Sequence, residues 1–309
     1  MSTRSSMVLA GLCLVGGCAA SQPTVTDRPR AGGTDVTFFV AADTHFGATQ
    51  SIDALNRKQV EAMNALPGTP VPAAVGQWAV AEPLGVLMAG DLTDHGLARE
   101  WQQFAAVYGR DGTDGLLRYP LYEGTGNHDR YVPLLRPVLD AVRKRHGRLT
   151  YSWDWSDVHL VCLDEYPDAA NRRWLVRDLA AVGRRRPVVI YFHFNLVGPF
   201  SQWWPRREKE AFARAIDGYN VVGIFHGHFH YSQHYAWKGW DVYNVGSPRH
   251  AWHSFAVVRI TDTSMTVCSW DWRRRGWAWW HRKDINAPAS PSPPRGSAPR
   301  ACATRPAGP

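Results

Sequence analysis

The chain has 309 residues, 45% hydrophobic and 20% charged, an ordinary globular composition long enough to bury one large core or two small ones. That excludes wholesale disorder, collagen and coiled coil. Much of the formal net charge of +8 sits at the ends: Arg295, Arg300 and Arg305 have no acid beside them in 286–309, and Arg4, Arg28 and Arg30 face only Asp27 in 1–30. The body keeps too small a basic excess for a dedicated DNA-binding face, so no nucleic-acid partner is expected.

In chain order, Arg4 precedes an apolar run over 7–20, the length of a signal-peptide core and too short to span a bilayer. Its end, Val15-Gly16-Gly17-Cys18, resembles the lipobox of bacterial lipoproteins, whose cysteine thiol receives diacylglycerol. Residues 1–17 then read as a signal peptide, Cys18 as the lipidation site and mature N-terminus, and 18–34 as a polar tether. The expected location is the bacterial cell envelope, with the membrane engaged through the lipid anchor. A plain secretory signal, leaving a soluble secreted or periplasmic protein, is the alternative.

From 35 to 285, short β-branched and aromatic runs alternate with amphipathic stretches, the pattern of a layered α/β fold. Near-continuous apolar runs at 36–42, 85–89 and 120–123 predict buried strands, each followed by a Gly, Asp or His turn and a helical candidate. Strands are also predicted at 158–163, 188–193 and 221–226. Apolar residues at three and four spacing predict helices over 132–146, 169–182 and 206–216. After 235 the pattern is strands alone (235–237, 241–245, 255–260, 265–270 and a hairpin through 273–276), which implies a second, mostly antiparallel sheet. The alternating Trp270, Trp272, Trp277 and Trp279 are expected to cover one sheet face. Cys162 and Cys268 lie in apolar runs and are expected to be buried free thiols, with a disulfide between them in an oxidising compartment as the alternative. The tail 286–309, mostly Pro, Ala, Ser and Arg, is expected to be disordered.

Five short segments sit at strand ends, where loops of open α/β sheets converge to build a site. They are Asp43-Thr44-His45, Gly90-Asp91, Gly126-Asn127-His128-Asp129, His193 and Gly227-His228-Phe229-His230. Singly, each reads equally well as a turn or a helix cap. As a set they differ: Asp43 with His45, and His228 with His230, are spaced by two, so both side chains of a pair leave an extended backbone on one side. Gly90, Gly126 and Gly227 are expected to permit sharp turns beside them. Imidazoles, carboxylates and one amide, without thiolates, suit Fe, Mn, Zn or Mg.

In this order the motifs D-x-H, GD, GNHD, a lone His and GHxH resemble those of the calcineurin-like metallophosphoesterase superfamily. The resemblance runs from 36 to about 245 and implies a four-layer α/β/β/α sandwich of two mixed β-sheets flanked by helices. It further implies two divalent or trivalent metal ions, one held by Asp43, His45 and His230, the other by Asn127, His193 and His228, with Asp91 bridging. Metals about 3.5–4 Å apart would clamp a phosphate and acidify a bridging water, whose hydroxide is the nucleophile. His128 is expected to protonate the departing alkoxide as general acid, with Asp129 accepting from its other ring nitrogen.

Arg249 is a candidate grip on a phosphate oxygen. His95 is a candidate substrate contact, although the segment 91–96 also reads as the cap of a helix starting near 97. Purple acid phosphatases of the superfamily carry a metal-binding Tyr three residues after the bridging Asp, where this chain has Asp94. The run GDLTDHG is closer to class III cyclic-nucleotide phosphodiesterases. Loops at 65–72 and 194–205, the latter with Phe200, Trp203 and Trp204, are expected to overhang the metals and meet an organic group. The expected function is hydrolysis of a small organic phosphomonoester or phosphodiester. A non-catalytic metal-binding scaffold and a nuclease of the same superfamily are the alternatives.

Overall fold

The structure is a computed structural model in which residues 33–132 and 134–285 are described. The lipobox with Cys18, most of the tether and the tail 286–309 lie outside the described residues. The apolar runs become strands in this order: β1 (Asp35–Ala41), α1 (Gln50–Ala65), β2 (Val86–Ala89), α2 (Ala98–Tyr108), β3 (Leu121–Gly124), α3 (Pro137–His146), β4 (Thr150–Trp155) and β5 (Val158–Leu163). Next come α4 (Ala169–Val182), β6 (Val188–Tyr191), α5 (Arg206–Ile216), β7 (Val221–His226), β8 (Ser232–Trp237), β9 (Trp240–Val245), β10 (Ser254–Thr261), β11 (Ser264–Asp271) and β12 (Gly276–Asp284).

These strands form two six-stranded sheets, ordered β12-β11-β10-β1-β2-β3 and β4-β5-β6-β7-β9-β8. Both are mixed, with β1-β2-β3 parallel in one and β5-β6-β7-β9 parallel in the other. Along β1, successive residues serve opposite faces, as a pleated strand requires. Phe38 and Val40 enter a layer between the sheets with Leu160, Val189 and Tyr243, while Phe39 and Ala41 meet Val60, Met63, Phe104 and Val142 of the helices α1 to α3. On the outer side of the second sheet, Leu175 and Leu179 of α4 and Phe212 and Ile216 of α5 pack on Val161, Ile190 and Ile224. The result is the four-layer α/β/β/α sandwich.

The C-terminal strands do not build a sheet of their own. β10 to β12 extend the first sheet antiparallel from β1, while β8 and β9 extend the second from β7. A hairpin reads the same in sequence whichever edge it joins; the choice falls to complementary faces. Ala256, Val258, Met265 and Val267 continue the inter-sheet surface of Phe38 and Val40. The four tryptophans likewise divide: Trp270, Trp272 and Trp277 serve the helix-side core and Trp279 the inter-sheet layer. A register shift at Ser269/Trp270 breaks the alternation of β12.

Helix α3 begins at Pro137, five residues after the expected 132, because a proline inside a helix loses a hydrogen bond and clashes with the preceding turn, whereas at the first position it does neither. Cys162 and Cys268 are buried free thiols in different cores. The loop at 65–72 does not overhang the motif loops: Leu66 and Val71 bury into the helix-side core, and the Pro70 carbonyl accepts from Trp277 Nε1 at 3.0 Å.

Candidate metal centre

Each motif follows the C-terminal end of a parallel strand: 43–45 after β1, Asp91 after β2, 126–129 after β3, His193 after β6 and 227–230 after β7. The loops of the first sheet are tied laterally. Asp43 N–H donates to the Gly90 carbonyl (3.0 Å) and His45 N–H to that of Asp91 (3.1 Å), while Thr44 Oγ1 donates to Leu92 O (2.7 Å). From α1, buried Asn56 donates Nδ2 to Thr44 O at 2.7 Å.

The ligand pairs converge by left-handed turns and not by extended alternation. Asp43, His45, Asp91, His228 and His230 all have φ between 44° and 69°, a conformation costing roughly 1–2 kcal/mol per non-glycine residue. The surrounding fold supplies that strain energy, and the strain gathers where the chemistry is. The glycines act differently from one another. Gly90 is left-handed at φ +87, and a Cβ there would lie 2.7 Å from His193 Nδ1. Gly126 and Gly227 serve close approach instead: a Cβ would strike Asp91 Oδ1 at the first and lie 2.5 Å from Asp43 Oδ2 at the second.

Seven polar side chains meet in this space as two groups sharing Asp91. In the first, His45 Nε2 lies 3.1 Å from His230 Nε2 and 3.7 Å from Asp91 Oδ2, and His230 Nε2 lies 3.3 Å from Asp43 Oδ1. In the second, His193 Nε2 lies 3.1 Å from Asp91 Oδ2, 3.1 Å from Asn127 Oδ1 and 3.2 Å from His228 Nδ1. Imidazole nitrogens facing one another at such distances either share a proton or take a cation between them. Donors each about 2.1 Å from a shared ion and at right angles lie about 3 Å apart, so the donor set fits metal ions. Electrostatics agree. Burial disfavours charge on Asp43 and Asp91, yet the facing histidines outweigh it and hold both carboxyls below the ordinary range. Burial also opposes charge on His193, but Asp91 and Asp43 push it up to about 10. Burial, seconded by the charge on His193, pulls His228 down to about 3.

Behind these donors, His193 Nδ1 donates to Ala89 O (2.9 Å), and His45 Nδ1 lies 3.1 Å from Asp94 Oδ1 and 2.9 Å from Arg249 Nη1, so that Nε2 of both rings faces into the centre. Asp94 occupies the position where purple acid phosphatases carry a metal-binding tyrosine, and here it supports a histidine. Its location in a loop three residues past Asp91 was the available signal.

His128 stands at the mouth, its backbone N–H donating to Asp91 Oδ1 (2.9 Å) and its Nδ1 to the Asp94 carbonyl oxygen (2.7 Å). The expected pairing of His128 with Asp129 is absent. Asp129 turns inward and accepts from Leu92 N, Thr93 N, Thr93 Oγ1 and Gly126 N at 2.8–3.2 Å, clamping the loop after β2 to the loop after β3. Burial and the neighbouring Asp91 charge push its carboxyl up to about 6.

Arg249 reaches the site, its Nη1 donating to Asp94 Oδ1 at 2.5 Å and lying 2.9 Å from His45 Nδ1. His95 is exposed, 3.3 Å from Asp94 Oδ2 and 3.5 Å from Glu100 Oε1. The α2 start is capped by Glu100, whose Oε2 accepts from His95 N and Leu97 N, and not by a side chain of 91–96. From the loop at 194–205, Phe194, Phe200 and Trp203 lie against His228. Trp204 does not join them; it is buried in the core under α5.

A model of the calcineurin-like phosphoesterase family matches residues 36–232, a span containing all five motifs. The chain belongs to that family. Solved structures of like fold include a dimetal phosphatase from Danio rerio, 13% identical, covering 81% of this chain and 99% of that one at a TM-score of 0.59. GAP50, the anchor in the inner membrane complex of Plasmodium, is 10% identical over 81% and 89% at 0.60. A purple acid phosphatase from yellow lupin, Lupinus luteus, is 12% identical over 81% and 54% at 0.57. At these identities the likeness speaks for the fold alone. No curated protein matches the chain.

A separate group in this family member, His234, Asp241 and His281, links β8 and β9 to β12 across the sheet edges. Its imidazoles stack 3.9 Å apart at 17°, His234 Nε2 lies 2.8 Å from Asp241 Oδ1, and Lys283 Nζ lies 2.5 Å from Asp241 Oδ2. It reads as an ionic staple between the sheets.

Proposed function

We propose that the protein hydrolyses a phosphoester at a two-metal centre. One ion would be held by Asp43, His45 and His230, the other by Asn127, His193 and His228, with Asp91 shared. The observation that carries this reading is the sharing of Asp91 between two donor groups whose ring nitrogens lie 3.1–3.2 Å apart. When bound, the metal pair supplies positive charge for the phosphate oxygens and the acidity that makes water a nucleophile at neutral pH.

The chain's own part is orientation and proton delivery. His193 is oriented by Ala89 O and His45 by Asp94 Oδ1, each ring turning Nδ1 to its partner and Nε2 to the position of the metal. His128, with Nδ1 donating to the Asp94 carbonyl, keeps Nε2 for the proton handed to the leaving alkoxide. Asp129 holds the two loops at a fixed separation and takes no proton from His128. Arg249 steadies Asp94 and lies directly against His45 Nδ1.

A small organic monoester or diester is the proposed substrate, and export with tethering through Cys18 is the proposed setting, on the strength of the small-small-Cys sequence. GAP50 is named an anchor, and a non-catalytic scaffold on this fold is the second reading. The full donor set and His128 favour catalysis here, and the modest body charge disfavours a nuclease.

Metal analysis after reconstitution with Mn, Zn or Fe, followed by assay on an aryl monoester, an aryl diester and a cyclic nucleotide, tests the reading. Metal stoichiometry near two with turnover on one ester supports it. Failure to retain any ion overturns it.

A further inference from the structure

The His228 side of the site is an aromatic wall open to solvent. The Trp203 ring lies 4.9 Å from His228 and is 50% exposed; Phe200 lies 5.6 Å from Trp203 and 6.0 Å from His228 and is 47% exposed. Buried Phe194 backs both Trp203 and His228 at 6.2 and 4.7 Å. Across the centre Tyr131, 51% exposed, lies 4.6 Å from His128.

The exposed face is held in place from below. Asn195 Nδ2 donates to Val197 O and Pro199 O, both at 2.7 Å, and Lys209 Nζ donates to Leu196 O and Ser201 O at 2.8 and 2.6 Å. Phe200 itself is left-handed at φ +63, a strained conformation for a bulky side chain. A loop thus anchored, and strained at the residue that points its ring outward beside a polar cage, has the character of a binding surface. The shape narrows the ligand. Trp203 and Phe200 are inclined to each other at 62° and to His228 at 58° and 77°, so no two parallel faces form a slot for a planar base. Such a wall accepts a bulky apolar group of either aliphatic or aryl character.

Resting on the function proposed above, we infer that the wall takes the organic group of the substrate and that the preferred substrates are phosphoesters of hydrophobic alcohols. The phosphate occupies the cage of Asp91 and its neighbours, and the apolar group lies on Trp203 and Phe200.

The test is a homologous series of methyl, butyl and octyl phosphate, run on the full chain reconstituted with manganese. A parallel calorimetric series with methyl- and octylphosphonate reads binding without turnover. We expect kcat/KM to rise about two- to fourfold per methylene until the wall is covered, and the octyl phosphonate to bind at least tenfold tighter than the methyl. Trp203→Ala and Phe200→Gly should each flatten both series, and Phe200→Gly should melt no lower than the parent because glycine relieves the left-handed strain.

A flat series with ready turnover of methyl phosphate overturns the inference and leaves the phosphoesterase reading standing. So does an undiminished octyl preference in both variants. No turnover of any ester by metal-replete protein removes the phosphoesterase reading, and this inference with it.

Discussion

Asp94 Oδ1 lies 3.1 Å from Nδ1 of His45, on the side of the ring opposite the nitrogen that faces His230 and Asp91. The carboxyl is held down to about 2: burial opposes its charge, but the bond to His45 and the charge of Arg249 prevail. It stays ionised across the working range and orients a metal-facing imidazole.

Asp94→Ala is therefore expected to weaken binding of the ion at Asp43, His45 and His230 about 10–100-fold. Asp94→Asn, whose amide oxygen still accepts from Nδ1–H, should fall between. Competition titration with a chelating dye reads both. Parental affinity in Asp94→Ala would show that another group holds the ring.

His128→Ala should retain both metals and lose about 10²–10⁴ in kcat, most on esters with poor leaving groups, because proton delivery matters most to a basic alkoxide. Plotting rate against leaving-group pKa for parent and variant gives the steeper slope to the variant. Equal slopes would remove His128 from proton transfer.

Gly126→Ala places a methyl against Asp91 Oδ1. The backbone there cannot yield without moving Asn127 and the Gly126 N–H that Asp129 holds at 2.8 Å. We expect loss of metal stoichiometry at both positions, since Asp91 serves both groups, together with a lowered melting temperature. Full metal content by elemental analysis would contradict the close approach.

A pH effect is expected far from the metals. Buried His159 bonds Asp154 Oδ1 through Nδ1 (2.7 Å) and Asp178 Oδ2 through Nε2 (2.9 Å). Burial works against its charge, but the two carboxylates outweigh it and raise its pKa. A raised folded-state value means the stabilisation is fully present below the unfolded pKa of about 6.5 and is lost as pH rises through the folded value. His159→Gln should cost about 1.5–3 kcal/mol near pH 6 and less as the solution becomes alkaline. Urea unfolding of both proteins at several pH values measures the gap; a gap that widens with pH would reverse the assignment.

Much of the site was legible because ligands carry their chemistry in residue type. Asp43, His45, Asp91, Asn127, His193, His228 and His230 stand out as donors placed after strands, and parallel strands bring such loops to one edge. What surrounds them was less legible. Asp129 follows His128 directly and invited a pairing, yet its carboxylate finds four donors on the loops around it. Asp94 lies in a segment that reads as a helix cap, and its partners His45 and Arg249 are 49 and 155 positions away. Strand β4 is not among the predicted strands: Tyr151, Trp153 and Trp155 alternate with Ser152 and Asp154, and no continuous apolar run marks it.

The sequence by itself determined the layered α/β pattern and the inventory of donors, since both depend on local periodicity and on the chemistry of single side chains. Only the tertiary structure decided which sheet the last strands joined, which aspartate orients which histidine, and which aromatic residues face the site. Those outcomes turn on left-handed backbone at five ligand positions and on contacts between chain segments far apart in number, where small differences in packing and burial select one partner from several of equal chemical fitness.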